Sequence, residues 1–155
     1  MTVEFKRERF QDVYLESKPL LERHWEEIAR NKDFIKLVPD VKKYEASENM
    51  GILRCLTARE NGILIGYAVY FVTPHLHYSN NLWAFCDIIW IAPEHRKGML
   101  GIRLIRFVEQ FLKDEGVHVM HTIAKLAHPA LGKILGHLGH NPIETVYAKV
   151  LKEDR

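Results

Sequence analysis

The sequence predicts an α/β chain: a central, mixed and twisted β-sheet with helices on both faces. Three observations carry that prediction. Two apolar, strand-like runs flank Asn61-Gly62, the dipeptide that most strongly marks a tight hairpin. A third apolar run, Leu82 to Ala92, holds a single charge, Asp87, and is long enough for a strand covered on both faces. A short basic loop then leads into a segment of helical period and another strand-like run. A hairpin followed by strand, helix and strand gives a sheet with both antiparallel and parallel pairs.

Each element has its own signal. Val3 to Phe10 alternates loosely and reads as a short first strand. Ser17 to Asn31 reads as a helix: Ser17 can cap it, Pro19 suits its first turn, and Leu20, Leu21, Trp25 and Ile28 form an apolar stripe. Lys32 to Val38 allows another helical turn before Pro39-Asp40, and Val41 to Met50 fits either a second helix or a loop. Gly51 to Glu60 and Ile63 to Val72 are the arms of the hairpin, with Gly66 marking a bulge. Thr73 to Asn81 reads as a polar loop rich in His and Asn. After the Leu82 to Ala92 strand, Pro93 cannot donate to a ladder and ends the pairing. His95 to Gly101 is the turn. Ile102, Ile105, Val108 and Leu112 then recur on one side of a helix, with Arg103, Arg106, Glu109, Gln110 and Lys113 on the other, until Gly116 stops it. Val117 to Ala124 is a strand. His128 to Leu138 is a short helix, with Pro129 in its first turn and Gly139 at its end. Ile143 to Leu151 alternates and reads as a last strand.

Composition narrows the class. A chain of 155 residues suits one domain with a proper core. Its 47% hydrophobic and 27% charged residues describe a globular protein. The net charge of +2 argues against a nucleic-acid partner. No apolar run reaches transmembrane length, and the charged start from Met1 to Glu8 has no signal-peptide pattern, so no membrane partner is expected. Cys55 and Cys86 fall inside strand-like runs and read as buried free thiols of a reducing cytoplasm, with a disulfide between neighbouring strands left open. Nine histidines include the pairs His75/His77, His118/His121 and His137/His140, but none has zinc-site spacing. Residues three apart on a strand point to opposite faces, so His118 and His121 should not chelate together, and no metal site is expected.

The junction after Leu82 to Ala92 carries the chemistry. Backbone N–H groups at a helix N-terminus lack partners and carry partial positive charge. Glycine lets the backbone approach a bulky anion, and Arg96 and Lys97 add charge, so the loop reads as a seat for phosphate or pyrophosphate. Neither of the two phosphate motifs of fixed pattern, G-x-x-x-x-G-K-[ST] and G-x-G-x-x-G, occurs here.

Pro93-Glu94-His95-Arg96-Lys97-Gly98-Met99-Leu100-Gly101 resembles the acyl-CoA loop of the GCN5-related N-acetyltransferases, the GNAT family, whose pattern is [Q/R]-x-x-G-x-[G/A] between an apolar strand and a helix. Arg96 and Gly101 match; Met99 stands at the middle glycine, with Gly98 displaced by one position. The element order is similar too, except that the family usually finishes on two strands and this tail has room for one.

The resemblance implies a GNAT-like acyltransferase domain over residues 1–155. It implies acetyl transfer from acetyl-CoA, as co-substrate, to the amine of a small molecule or peptide by direct attack in a ternary complex. The backbone of Ile89, Trp90 and Ile91 would pair with the pantetheine arm, and Arg96, Lys97, Gly98, Met99, Leu100, Gly101 and Ile102 would hold the pyrophosphate. Asp87 matches the position of a family Glu and is expected to act as base, its pKa raised by burial. The Tyr that protonates the thiolate in many members would fall at Leu135. His128, at the place of a family Asn, is the candidate acid and a further CoA contact. The competing readings are a structural hydrogen bond for Asp87 and, for His128, helix capping or a plain surface position. The acceptor pocket would be built from the early helices, the His75 to Asn81 loop and the last strand. An alternative is a GNAT-like module that binds acyl-CoA or a protein without turnover. A truncated sheet edge would suit a homodimer. The tail from Gly132 to Leu151 is also similar to compact members encoded by tailed bacteriophages, which would work in a host cytoplasm.

Overall fold

The computed structural model describes residues 2–154. The elements are β1 (Val3–Glu8), α1 (Phe10–Ile28), α2 (Val41–Asn49), β2 (Leu53–Glu60), β3 (Ile63–His75), β4 (Tyr78–Ile91), α3 (Leu100–Asp114), β5 (Val117–His121) and α4 (Ala130–His137), with one 3-10 turn at Pro93–His95. The strands form one sheet in the order β1-β2-β3-β4-β5. The first four pair antiparallel and β5 pairs parallel to β4, so the sheet is mixed as expected. Among the described residues no helix is long and apolar enough to cross a membrane.

Helices cover both faces. The apolar side of α3 puts Leu104, Val108 and Leu112, each at most 1% exposed, onto Leu56, Ile65, Ala68 and Ala84. On the other face, Phe10 of α1 and Tyr44 of α2 cover Leu53, Cys55 and Val69, and Leu20 and Leu21 cover Tyr67 and Trp90. The guanidinium of Arg59, buried on β2, is shared among three elements. It donates to Glu8 of β1 at 2.8 and 3.1 Å, to Glu16 of α1 at 2.9 and 2.8 Å, and to the Gly62 carbonyl of the hairpin turn at 2.8 Å.

Several boundaries differ from the sequence reading. The first helix starts at Phe10, not Ser17, and Pro19 lies inside it. The Ser17 hydroxyl therefore does not cap; it donates to the Tyr14 carbonyl at 2.8 Å. Pro19 costs the helix one N–H, but the turn before it holds Leu15, 75% exposed, so the freed carbonyl can meet water. Lys32 to Val38 makes one turn and no longer helix: the amides of Phe34 and Ile35 both turn back to the Asn31 carbonyl at 2.9 Å. The ambiguous Val41 to Met50 segment is a helix, because Asp40 accepts from the Lys43 amide at 3.0 Å and caps it.

Thr73 to Asn81 is not a loop. The β3–β4 ladder continues through Thr73↔Trp83 and Pro74↔Leu82, narrowing to a turn between His75 and Tyr78. Packed rings hold this end: His75 lies tilted 4.2 Å from Trp83, and Tyr78 stacks on Trp83 at 5.8 Å. A polar composition hid an aromatic ladder. Gly66 does sit beside a bulge, since the register between β2 and β3 skips Ile65, and a Cβ at Gly66 would meet the Trp90 carbonyl oxygen at 2.8 Å.

The last strand is a correction. Residues 143–151 form no strand, and Ile143, Val146, Tyr147 and Leu151 are exposed. The tail is tied at His140 to Glu109 of α3 at 2.6 Å. Beyond it, Asp154 donates its amide to the Phe34 carbonyl at 2.9 Å and accepts from the Lys36 amide at 3.1 Å. Neither tie lies on β1 or β5, the two edge strands that a further strand would have to join.

Candidate active site

The sheet opens where β4 outruns β5. Their parallel pairing begins at Leu82↔Val117 and ends at Phe85↔His121, while β4 continues to Ile91. From Cys86 onward, one edge of β4 has no strand partner among the described residues. Asp87 sits at the start of this open edge on a β-bulge: Tyr70 pairs with Cys86 and Val69 with Ile88, leaving Asp87 over. The cleft is a cavity of about 640 Å³. Its lining includes Asp87, Ile89 and Ile91 of β4, Gly98, Gly101 and Ile102 around the start of α3, and Ile123, Lys125 and His128 from the segment after β5.

The start of α3 is built for an anion. Met99 holds the N-cap position without a side-chain cap, and no acidic residue occupies the first turn. The first bond closing the helix runs from the Arg103 amide to the Met99 carbonyl at 2.9 Å. The amides of Leu100, Gly101 and Ile102 therefore precede any intrahelical acceptor, at the positive end of a helix of 15 residues. The glycine displaced from the family pattern explains itself: Gly98 takes φ +59°, whereas Met99 lies at φ −97° and needs no special freedom.

The other expected residues divide. Ile89, Trp90 and Ile91 lie on the open edge, though the Trp90 ring turns to the α1 face and donates to Glu27 at 2.9 Å. Arg96 lines the cleft, but its guanidinium grips Glu27 at 2.6 and 2.7 Å and its Nε donates to the Ile91 carbonyl at 2.7 Å. These bonds from Arg96 hold the Glu27 carboxyl below its usual range despite partial burial. Arg96 thus pins the loop to α1 and to the end of β4 rather than offering a free charge. Lys97 and Met99 are exposed and the Leu100 side chain is in the core; none of these three side chains lines the cleft. Arg103 lies over the Phe5 ring at 5.3 Å. His128 lies before α4 and does not cap it, since Pro129 holds that position.

Asp87 brings the main correction. The bulge pushes it out of the sheet, so it is exposed, and the expected burial of its carboxyl does not occur. Instead Tyr44 of α2 donates its hydroxyl to Oδ2 at 2.5 Å. Burial, and after it the neighbouring carboxylate, raise the Tyr44 phenol above its ordinary range, so it stays a proton donor. Tyr44 was missed because its segment read as helix or loop; it is the only aromatic residue from Val41 to Met50.

His24 was missed as well, although it falls four residues after Leu20 on the apolar stripe of α1. It is 5% exposed and lines the cleft. Its Nδ1 lies 2.9 Å from the Tyr67 hydroxyl, its ring stacks on Trp90 at 5.4 Å, and Nε2 is buried without a partner among the described residues. Burial lowers its pKa to about 4, against the pull of Glu27. The unfolded chain takes up this proton near pH 6.5, the folded chain only near 4. Between those values the unfolded state binds more protons, so stability is full above about pH 6.5 and falls as the pH drops toward 4. Urea unfolding is expected to show a loss of roughly 2 kcal/mol between about pH 7 and about pH 5. His24→Phe should flatten that slope; an unchanged slope would show that His24 does not cause it.

Among curated proteins no match was found. Solved structures do match, at low identity. A ribosomal-protein-alanine N-acetyltransferase from Brucella melitensis biovar Abortus is 17% identical over 97% of this chain and 99% of its own, with a TM-score of 0.71. An aminoglycoside acetyltransferase from an uncultured soil metagenomic sample is 14% identical over 98% and 97%, with a TM-score of 0.76. A predicted acetyltransferase with acetyl-CoA from Clostridium acetobutylicum is 13% identical over 97% of each chain, with a TM-score of 0.68. These likenesses establish the fold. The family described as "Acetyltransferase (GNAT) family" matches residues 9–142. With most of its length so matched, this chain belongs to the GNAT acetyltransferase family.

Proposed function

We propose that this acetyltransferase carries an acetyl group from acetyl-CoA to the amine of a small molecule or peptide by direct attack, with Asp87 taking the amine's proton. One observation supports this reading above the others: the open edge of β4 and the uncapped start of α3 border the same cavity. Acetyl-CoA would supply the thioester and its thiol leaving group.

The chain's own part is to hold and to orient. The amides from Leu100 to Ile102, with the dipole of α3 behind them, suit a diphosphate. The unpaired edge from Cys86 to Ile91 suits the amide groups of a pantetheine arm and has an N–H to set against a thioester oxygen. Tyr44 fixes Oδ2 of Asp87 and leaves Oδ1 to accept from an ammonium, directly or through water. His128, which lines the cleft with Lys125, is the candidate to protonate the departing thiolate. Aminoglycoside acetyltransferases among the similar structures agree with a small-molecule amine as acceptor.

Titration calorimetry with acetyl-CoA tests the reading. Binding is expected within the range of about 1 μM to 1 mM typical of enzyme substrates, with amide NMR shifts centred on Cys86 to Ile91 and His95 to Ile102. A folded sample with no heat and no shifts at millimolar ligand would remove it.

A further inference from the structure

A smaller cavity of about 330 Å³ lies beside the cleft, between α1, α2 and the sheet face of β2 and β3. Leu21, Trp25, Leu37 and Ile88 line both spaces, so it is a side chamber of the cleft. The Tyr44–Asp87 hydrogen bond stands at the junction: Tyr44 lines the chamber, and Asp87 lines the cleft.

The chamber's chemistry is one-sided. Phe10, Tyr14, Trp25 and Tyr67 supply rings, and Val13, Leu64 and Val69 supply branched aliphatic surface. Its polar atoms are already occupied or uncharged. The Thr57 hydroxyl is bonded to Glu8, the Ser17 hydroxyl to the Tyr14 carbonyl, and burial pushes the Cys55 thiol up to about 12. Among the described residues no carboxylate lines the chamber, and the one charged lining residue is a cation, Lys36, exposed in the α1–α2 loop. A polycation placed here would find no carboxylate in the lining itself, only Glu8, Asp87 and Asp154 behind it, each already hydrogen-bonded, and would meet a like charge at Lys36. An apolar body would gain burial, and the volume sits at the small end of ordinary ligand pockets, about 300–1,000 Å³.

We infer that the acceptor is a hydrophobic monoamine: an aryl or branched-alkyl body seated in this side chamber, its single primary amine presented to Asp87. This rests on the acetyl-transfer reading above. In balance, the ammonium form of the amine and acetyl-CoA give the N-acetyl amide, CoA thiol and one proton. The N–C bond forms, the C–S bond breaks, one proton passes to Asp87 and on to solvent, and the other leaves with the thiol.

The test uses 2-phenylethylamine and isopentylamine against spermidine, with acetyl-CoA titrated separately. Expected are NMR shifts at Val13, Leu64 and Val69 with either monoamine, and a kcat/KM at least tenfold above that for spermidine, followed by thiol release. Ser17→Leu, which fills the chamber, should raise KM for the monoamines at least tenfold and leave acetyl-CoA affinity unchanged. Should that variant not fold, Lys36→Glu on the exposed loop should narrow the gap between monoamine and spermidine. If acetyl-CoA binds but the chamber residues do not respond, or spermidine is preferred, this inference falls and the acetyl-transfer reading stands. If acetyl-CoA does not bind, both fall.

Discussion

Asp87→Asn is expected to lower kcat by about 10²- to 10⁴-fold while acetyl-CoA affinity stays within about twofold of wild type, the signature of a lost proton acceptor. The substitution is nearly isosteric, and an amide oxygen can still accept from the Tyr44 hydroxyl. The phenol is therefore not left unpaired, and the fold has no reason to change. What disappears is the basic oxygen beside the opening of β4. Tyr44→Phe tests the other half of the pair. It leaves the carboxylate in place but frees it to rotate, so a smaller fall in kcat is expected, about tenfold. Steady-state thiol release across the acceptor panel, with circular dichroism to confirm folding, measures both. Asp87→Asn at wild-type rates would strip Asp87 of its role and leave the amine's proton to solvent or another group.

Arg59→Ala is expected to cost about 3 kcal/mol of stability, which in a chain of this size lowers Tm by about 6–12 °C. The guanidinium bonds two carboxylates and a carbonyl from three elements, and Ala would leave Glu8, 16% exposed, charged and without its main partner. Glu16 is 44% exposed and water would largely serve it, so most of the loss belongs to Glu8. The Glu16 carboxyl is held low by its hydrogen bonds from Arg59, and Glu8 ends low because Arg59 and Thr57 outweigh its burial. Stability from both is present near neutrality and is lost as the pH falls below the ordinary carboxylate range. Arg59→Lys keeps the charge but not the paired forks and should fall between wild type and Ala. A urea-unfolding loss below about 1 kcal/mol for Arg59→Ala would show that the network contributes little.

The sheet and its main helix were legible because long apolar runs with clear stops leave few options. Leu82 to Ala92, the Asn61-Gly62 turn and the period of Ile102 to Leu112 each identify an element locally. What was hidden depends on partners distant in sequence. Tyr44 and Asp87 lie in different elements, and only the fold brings them within a hydrogen bond. Arg96 reads as a free cation until Glu27 appears beside it. The Thr73 to Asn81 segment looked like a loop because its stabilising contacts are ring stacks of His and Tyr rather than aliphatic burial. The tail failed in the opposite direction: Ile143 to Leu151 alternates like a strand, but its chain ends are fastened to α3 and to the α1–α2 loop.

The surplus residue at Asp87 also switches the parity of the pleat. Before it, the even-numbered Ala84 and Cys86 face α3; after it, the odd-numbered Ile89 and Ile91 do, and Ile88 and Trp90 turn toward α1. Exchanging one side chain for another at this point leaves that inversion intact. Deleting the residue would not: Ile88 to Ile91 would swap sides, with the Trp90 indole thrust among the α3 leucines and Ile89 and Ile91 turned toward α1. Tolerance here is thus set by how many residues the strand contains, more than by which ones.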